Sequence, residues 1–529
     1  MTPRLLPDSP NLEQLKKQAK SLLHDAQAGD RDALARFAAL PSLANTATDR
    51  IDATGLALHD AQSVIAREYG FASWNALREE VEARTLSPAA AIDEFVRAAT
   101  GGAKGRADRL LALHPAIASA TFHTRLVLGD AAGVDAMLRA NRSLATTAGG
   151  PQEWEPLLYV CHTCLHRDHP PRIDGLLAIA KQLIGLGANP NAEYHWNWHP
   201  ELPRTALWGA LITMGHVPLA TLLLESGAKP TDGVTAHIAG GSGNIAALEL
   251  LQRFGFDANG ISGGVPPLVY ILGYSDDPTG PAWLLEHGAD PNRSWGPDDE
   301  APLHVAARRW DVAMVERLVT RGGDVSRRRA DGYTPHTLAE LNGNHEIAQW
   351  LLAHGAANEM LPLEQFIAAC ARADVAAADA LLQSHPGLAN GLTHAQHLML
   401  HRPAESGNVA VLTTMLQRGF DPAVADKDGV TALHRAAMGG HPEATATLLK
   451  FGAPIDALDG MFSATPLVWA VEGRTHAQTG SDHVAVARVL ITAGSPLEWT
   501  PPPGAPGPER TLDALRQLKQ DAAAAPAGR

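Results

Sequence analysis

The amino-acid sequence predicts an all-α solenoid of about twelve helix-turn-helix units, preceded by a helical N-terminal domain. Three observations carry this expectation. A glycine stop recurs at Gly187, Gly227, Gly255, Gly288, Gly322, Gly355, Gly419, Gly452 and Gly494, in steps of 40, 28, 33, 34, 33, 64, 33 and 42 residues. A second mark lies upstream of several stops: Ala301-Pro-Leu-His-Val-Ala-Ala307, Thr334-Pro-His-Thr-Leu-Ala339, Thr431-Ala-Leu-His-Arg-Ala-Ala437 and Thr465-Pro-Leu-Val-Trp-Ala470. The chain has 529 residues, too many for one hydrophobic core, whereas stacked units each pack only on their neighbours. A near-fixed period of this size is the mark of stacked supersecondary units.

Residues 11–86 do not share the period. Asn11 precedes Leu12 and has Gln14 three positions on, a capping-box pattern, and Leu12, Leu15, Ala19, Leu22 and Leu23 keep helical spacing up to Gly29. Further helices are expected at 31–39, 57–69 and 73–84, with Gly70 stopping the middle one and Ser73 opening the last. The expected domains are 1–88, helical and covering the first repeat; 89–496, the solenoid; and 497–529, a Pro-rich linker with a helix from about Thr511 to Ala523. Within the solenoid, Leu pairs such as Leu223-Leu224, Leu284-Leu285, Leu351-Leu352 and Leu448-Leu449 are placed to fill the space between units. Weaker units end at His114-Pro115 and His385-Pro386 in place of glycine, and Pro403 implies a kinked or short helix. Almost no conventional sheet is expected.

Composition narrows the function classes. Formal net charge is −14 with no long basic run, which argues against a nucleic-acid surface. Three cysteines in so long a chain fit a reducing compartment. The start lacks a signal-peptide core and no 18-residue apolar run follows, so a cytoplasmic protein without membrane spans is expected.

The Thr-Pro-Leu-His-x-Ala pattern resembles the signature of the ankyrin-repeat family, and Asp428-Gly-Val-Thr-Ala-Leu-His-Arg-Ala-Ala-Met-Gly-Gly-His441 matches it almost throughout. Asp331-Gly-Tyr-Thr-Pro335 and Asp232-Gly-Val-Thr235 repeat its turn, and the resemblance extends over roughly three quarters of the chain. The chain looks like a bacterial-type multi-repeat member with a helical N-terminal domain. The resemblance implies a protein partner bound on a concave face, through turn tips and the residues after the Ala-Ala pair. Here those are His162 and Thr163, Arg308 and Arg309, Leu341 and Asn342, Glu405 and Ser406, Met438 and Gly439, and Glu472.

Three insertions interrupt the pattern: Cys161–His169, Glu193–Pro200 and Gly473–Asp482. Long insertions between packed elements carry function more often than packing. Cys161, Cys164, His166 and His169 have the residue types of a zinc site, but one segment would have to wrap the ion, and Cys161 falls on a position that the repeat buries. The reading is therefore a buried small cysteine, no metal and no cofactor. In the second insertion Tyr194, His195, Trp196, Trp198 and His199 form an aromatic cluster suited either to binding or to stapling the loop. The candidate binding residues are Tyr159, His162, Trp196, Trp198, His199, Trp208, Arg308 and Arg309. The leading function is a protein-recognition scaffold. The alternative is a small-molecule pocket near 159–208, which would do acid–base chemistry if Tyr159, His162, His195 and His199 converge. No nucleophile elbow, phosphate loop or metalloprotease helix is present to favour an enzyme.

Overall fold

The computed structural model describes residues 4–7, 9–40, 43, 47–166, 169–196, 199–261, 264–475, 480–496, 498–500, 511, 512, 514, 515 and 518. The expected linker and most of the expected C-terminal helix lie outside these residues, although Leu515 and Leu518 are buried within the core of the C-terminal unit. The chain packs as two compact units. One is Met1–Ala239 with Ala246–Phe256, and the other is Gly240–Ile245 with Asp257–Arg529.

In the first unit four helices come first: α1 (Leu12–Gln27), α2 (Arg31–Phe37), α3 (Leu58–Glu68) and α4 (Trp74–Thr85). Their starts are fixed by side chains accepting orphan N–H groups: Asn11 from Gln14, Asp30 from Ala33 and Ser73 from Ala76. Their apolar faces share one core that includes Leu15, Leu22, Phe37, Ile65 and Leu77.

Paired helices then repeat, as in Pro302–Arg309 with Val312–Thr320, Pro335–Leu341 with His345–Ala353, and Ala432–Gly439 with Pro442–Lys450. Proline opens several first helices, where its missing N–H costs nothing. Ala306, Ala307, Ala436 and Ala437 are fully buried, and so are Leu223, Leu284, Leu351 and Leu448. In two of the pairs the second leucine is less enclosed than the sequence implies: Leu352 and Leu449 are only half-buried, whereas Leu224 and Leu285 are buried. All nine glycine stops take positive φ, between 89° and 98°, the left-handed region that ends a helix at little steric cost to glycine. The first helix of the unit holding Pro403 is broken into His394–His397, a tighter turn at Leu398–Leu400, and His401–Glu405.

The histidines of the upstream motif explain why that residue type recurs. His434 Nδ1 accepts from Thr431 N at 3.1 Å, which leaves Nε2 protonated to donate to Ala464 O of the next turn at 3.1 Å. His304 makes the same pair, from Ala301 N and to Arg327 O, both at 3.0 Å. Each imidazole thus caps its own helix and ties it to the next repeat.

Among the described residues, and besides three isolated β-bridges, one feature departs from an all-helical chain. The insertion at 193–200, read as a lengthened turn, begins a two-stranded antiparallel hairpin, β1 (Glu193–Trp196) and β2 (His199–Thr205), pairing Glu193 with Thr205 and Tyr194 with Arg204. Its aromatic and β-branched residues suit a pleated, half-buried surface better than a helix.

Candidate functional site

In the first unit, the hairpin delivers Tyr194 and Arg204 onto the helix that carries Tyr159 and His162. The Trp154 ring stacks on Tyr194 at 4.0 Å between centroids. His162 meets Tyr194 edge-on at 5.2 Å and lies parallel to Trp208 at 5.7 Å. The Arg204 guanidinium sits 4.0 Å over the Trp208 ring, a cation–π contact. Tyr159, His162 and Trp208 therefore come together. The side chains of Trp196, Trp198 and His199 lie outside the described residues.

Two of the candidates are interior groups. Tyr159 is 0% exposed; its hydroxyl donates to Gly149 O at 2.7 Å and accepts from Gln152 N at 3.1 Å. His162 is 2% exposed and its Nε2 donates to Thr205 O at 3.0 Å. Burial, against that hydrogen bond and aided by the Arg204 charge, pushes the His162 pKa down to about 4. A neutral imidazole whose Nε2 proton is held by a backbone carbonyl serves the architecture. The expectation that Tyr159 and His162 meet a partner directly is thus corrected: helix Pro156–Cys161 is too apolar to face water, and every residue of it is buried. The same correction applies to Thr163, which donates to Val127 O at 2.9 Å, and to Leu341, 1% exposed.

Residues 161–166 of the cysteine-rich insertion also face inward, whereas His169 is exposed. Cys161 is fully buried, and burial pushes its thiol far above the ordinary range. Cys164 Sγ lies 3.8 Å from Ala98 O. Both ring nitrogens of His166 face carbonyls, Thr163 O at 2.9 Å and Met214 O at 3.0 Å. Among the described residues no group of three or more His, Cys, Asp or Glu is arranged to hold a metal ion.

In the second unit the first-helix ends form a different surface. Their terminal carbonyls are capped by side chains of the following repeat: Leu272 O by Trp310 Nε1 at 2.8 Å, Ala307 O by Asn344 Nδ2 at 2.9 Å, Glu405 O by His441 Nε2 at 2.9 Å, and Met438 O by His483 Nε2 at 3.0 Å. Arg308 and Arg309 stand at one such end. Arg308 Nη2 pairs with Glu300 Oε1 at 2.7 Å, an oxygen that Arg329 Nη1 also reaches at 2.7 Å. Arg309 donates to Gly273 O and pairs with Asp276 at 3.1 Å. Glu405, Ser406 and Glu472 are exposed at later ends. Sequence reasoning missed Trp154, Arg204, Tyr274 and Arg402; only the spacing of Tyr270 and Tyr274, whose tilted rings lie 4.7 Å apart, carried a signal.

Antiparallel helix pairs at one period, tied together by buried histidines and capped carbonyls, define a helical-repeat protein. The family profile "Ankyrin repeats (3 copies)" matches residues 268–361 and 400–496. The chain is 32% identical over 117 residues to "Cyclin-dependent kinase 4 inhibitor B" of Bos taurus, covering 87% of that protein and 22% of this chain. It belongs to the ankyrin-repeat family. It is also 26% identical over 193 residues to "Ankyrin repeat protein nuc-2" of Neurospora crassa, 35% of this chain and 18% of that protein. To "Rabankyrin-5" of Mus musculus it is 25% identical over 227 residues, 39% of this chain and 19% of that protein. The matches thus span less than a fifth of these two longer relatives, and they bear on the family and its multiple repeats but not on a bacterial type. Among the described residues, no helix is long and apolar enough to cross a membrane.

Proposed function

We propose that the protein is a recognition scaffold that binds a protein partner through its first-helix ends and the adjoining turn tips. The observation that carries this reading is the set of charged and polar side chains, Arg309, Glu405, Ser406 and Glu472, exposed at first-helix ends, with Ala307 O beside Arg309 and Glu405 O itself held by side chains of the next repeat. A rigid backbone presenting such groups loses little conformational entropy on binding. One relative is, by its name, an inhibitor of a kinase, a role exercised on another protein. In this reading twelve units run from 89 to 496, residues 1–88 cover the first of them, and 497–529 follow the last. Trp196, Trp198, His199 and Trp208, and separately Arg308 and Arg309 of the second unit, are the proposed contacts. Of these, Trp208 rests on the buried His162 ring.

The test is site-specific photo-crosslinking. A photoreactive residue replaces Arg309 or Glu405 on the first-helix face, and in a control it replaces the exposed Glu316 on a second helix. Specific adducts with one protein at the first two positions and none at Glu316 support the reading. Adducts at Glu316 alone, or at no position, overturn it.

A further inference from the structure

The last repeat is covered by a segment that is not itself a repeat. Helices Pro466–Thr475 and His483–Thr492 are the last pair among the described residues. Beyond them Thr511 (7% exposed), Leu515 (3%) and Leu518 (0%) are buried. Their spacing of four and then three residues marks one face of an amphipathic helix, and their backbone is helical. Leu515 and Leu518 join the core that includes Leu467, Val471 and Leu490. The Thr511 hydroxyl donates to Glu472 Oε1 at 2.7 Å.

This segment does not continue the array. Thr465 follows Thr431 by 34 positions, whereas Thr511 follows Thr465 by 46. A further repeat would set its threonine beside Thr465, at the start of helix Pro466–Thr475, but Thr511 meets Glu472 near the end of that helix. Ten residues, five of them proline and two glycine, separate it from Thr500. Before them Trp499 is held on the repeat by its own bond, from Nε1 to Phe462 O at 3.0 Å. The segment can therefore leave without releasing the last turn, and its tether returns it at high effective concentration. Glu472 also belongs to the first-helix end groups assigned above to a partner, so the tail occupies part of that interface.

We propose that the surface covered by Thr511, Leu515 and Leu518 is a helix-binding site, which a partner protein enters with an amphipathic helix and for which the chain's own tail competes. The partner's helix carries the same pattern, a hydroxyl and two leucines at i, i+4 and i+7. This rests on the scaffold reading and names the element by which the partner is held. Apolar anchors on one helix face supply the affinity, as in other helix-in-groove complexes, and the hydroxyl on Glu472 fixes the register.

The experiment is fluorescence anisotropy with a labelled peptide of residues 509–523. It is titrated with the full chain and with the full chain bearing Leu515→Asp and Leu518→Asp, which set charges against the core and undock the tail. The peptide is expected to bind this variant about tenfold or more tightly than the wild type, because the tethered tail no longer competes. Thr511→Val in the peptide is expected to weaken binding by about threefold or more, and Leu518→Asp in the peptide to abolish it. Circular dichroism establishes that the variant folds.

A second preparation does not depend on that variant. A protease site placed within 501–510 of the otherwise native chain is cut after folding, and the freed tail is expected to exchange for the labelled peptide. A peptide of unrelated sequence that keeps Thr, Leu and Leu at those spacings is expected to displace the tail, and one with the three positions scrambled is not. A cut tail that never exchanges is a permanent cap and overturns the proposal. Equal binding of the peptide to variant and wild type overturns it as well. Light scattering that finds the wild type a dimer and the variant a monomer also overturns it, because a second copy would then be the occupant. Failure of the peptide while crosslinking at Arg309 still captures a partner ends this inference and spares the scaffold reading. Exchange without adducts at Arg309 or Glu405 supports the helix site and ends the scaffold reading.

Discussion

Asn292 clasps the stop of the next repeat at Gly322. Its side-chain amide donates to Gly322 O at 2.7 Å while its side-chain oxygen accepts from Asp324 N at 2.8 Å. Asn259 holds Gly288 O and Asp290 N in the same way, and Asn191 holds Gly227 O and Lys229 N. The asparagine four residues after each of the stops Gly187, Gly255 and Gly288 is therefore a lateral tie between repeats, made at the next left-handed glycine, whose carbonyl the helix no longer uses.

Replacing Asn292 by Ala removes both bonds and is expected to cost about 1 kcal/mol, the net value of part-exposed hydrogen bonds. Asn292→Asp keeps the acceptor, loses the donor and turns a charge toward Gly322 O, so it is expected to be no better than Ala. Urea unfolding of the three proteins checks this. An unchanged midpoint in both variants would remove the tie from the account of stability.

Leu448 is fully buried among the core residues of the C-terminal repeats. Leu448→Ala is expected to cost about 2–5 kcal/mol through lost burial and the cavity left behind. The half-buried Leu449 should cost less on the same change. Hydrogen exchange is expected to quicken across the flanking repeats in the first variant, because neighbouring interfaces hold a repeat array together. Equal effects at the two positions would contradict the burial difference.

Gly175→Ala sets two effects against each other. Inside helix Pro170–Gly185, alanine is favoured over glycine by about 1 kcal/mol. A Cβ at Gly175, however, would collide with the Gly129 carbonyl. Overpacking against backbone costs about 1–3 kcal/mol, so net destabilisation is expected. A raised melting temperature would show that the two segments move apart freely.

Acid should loosen the first unit through His162. Its folded pKa is depressed to about 4 from an ordinary 6.5, so between those values the unfolded chain binds the proton and the folded chain does not. Stability carried by the neutral ring is complete above about pH 6.5 and falls as pH drops toward 4. His162→Gln keeps a donor for Thr205 O and cannot titrate. It is expected to flatten the decline in denaturant midpoint between pH 7 and pH 5. Parallel declines in both proteins would exclude His162 as the source.

The period of the glycine stops, the helix pairs, the opening prolines and the buried alanines were all legible in the sequence. Each depends on contacts within one repeat or with its neighbour, and such local requirements are written again in every unit. The starts of α1 and α4 at Asn11 and Ser73 were legible for the same reason, since a cap needs only residues three positions apart. What the tertiary structure decided concerns residues distant in the chain. It placed Tyr159 and His162 inside, because Gly149, Gln152 and Thr205 supply their partners from other segments. It folded 193–205 into a hairpin, because pairing Glu193 with Thr205 needs both strands in register. It brought Arg402 to Arg308 through Asn344, across 94 positions of sequence, where no spacing rule reaches. Periodicity fixes which face of each helix is buried; only the stacking of units decides which side chains from separate repeats share a surface.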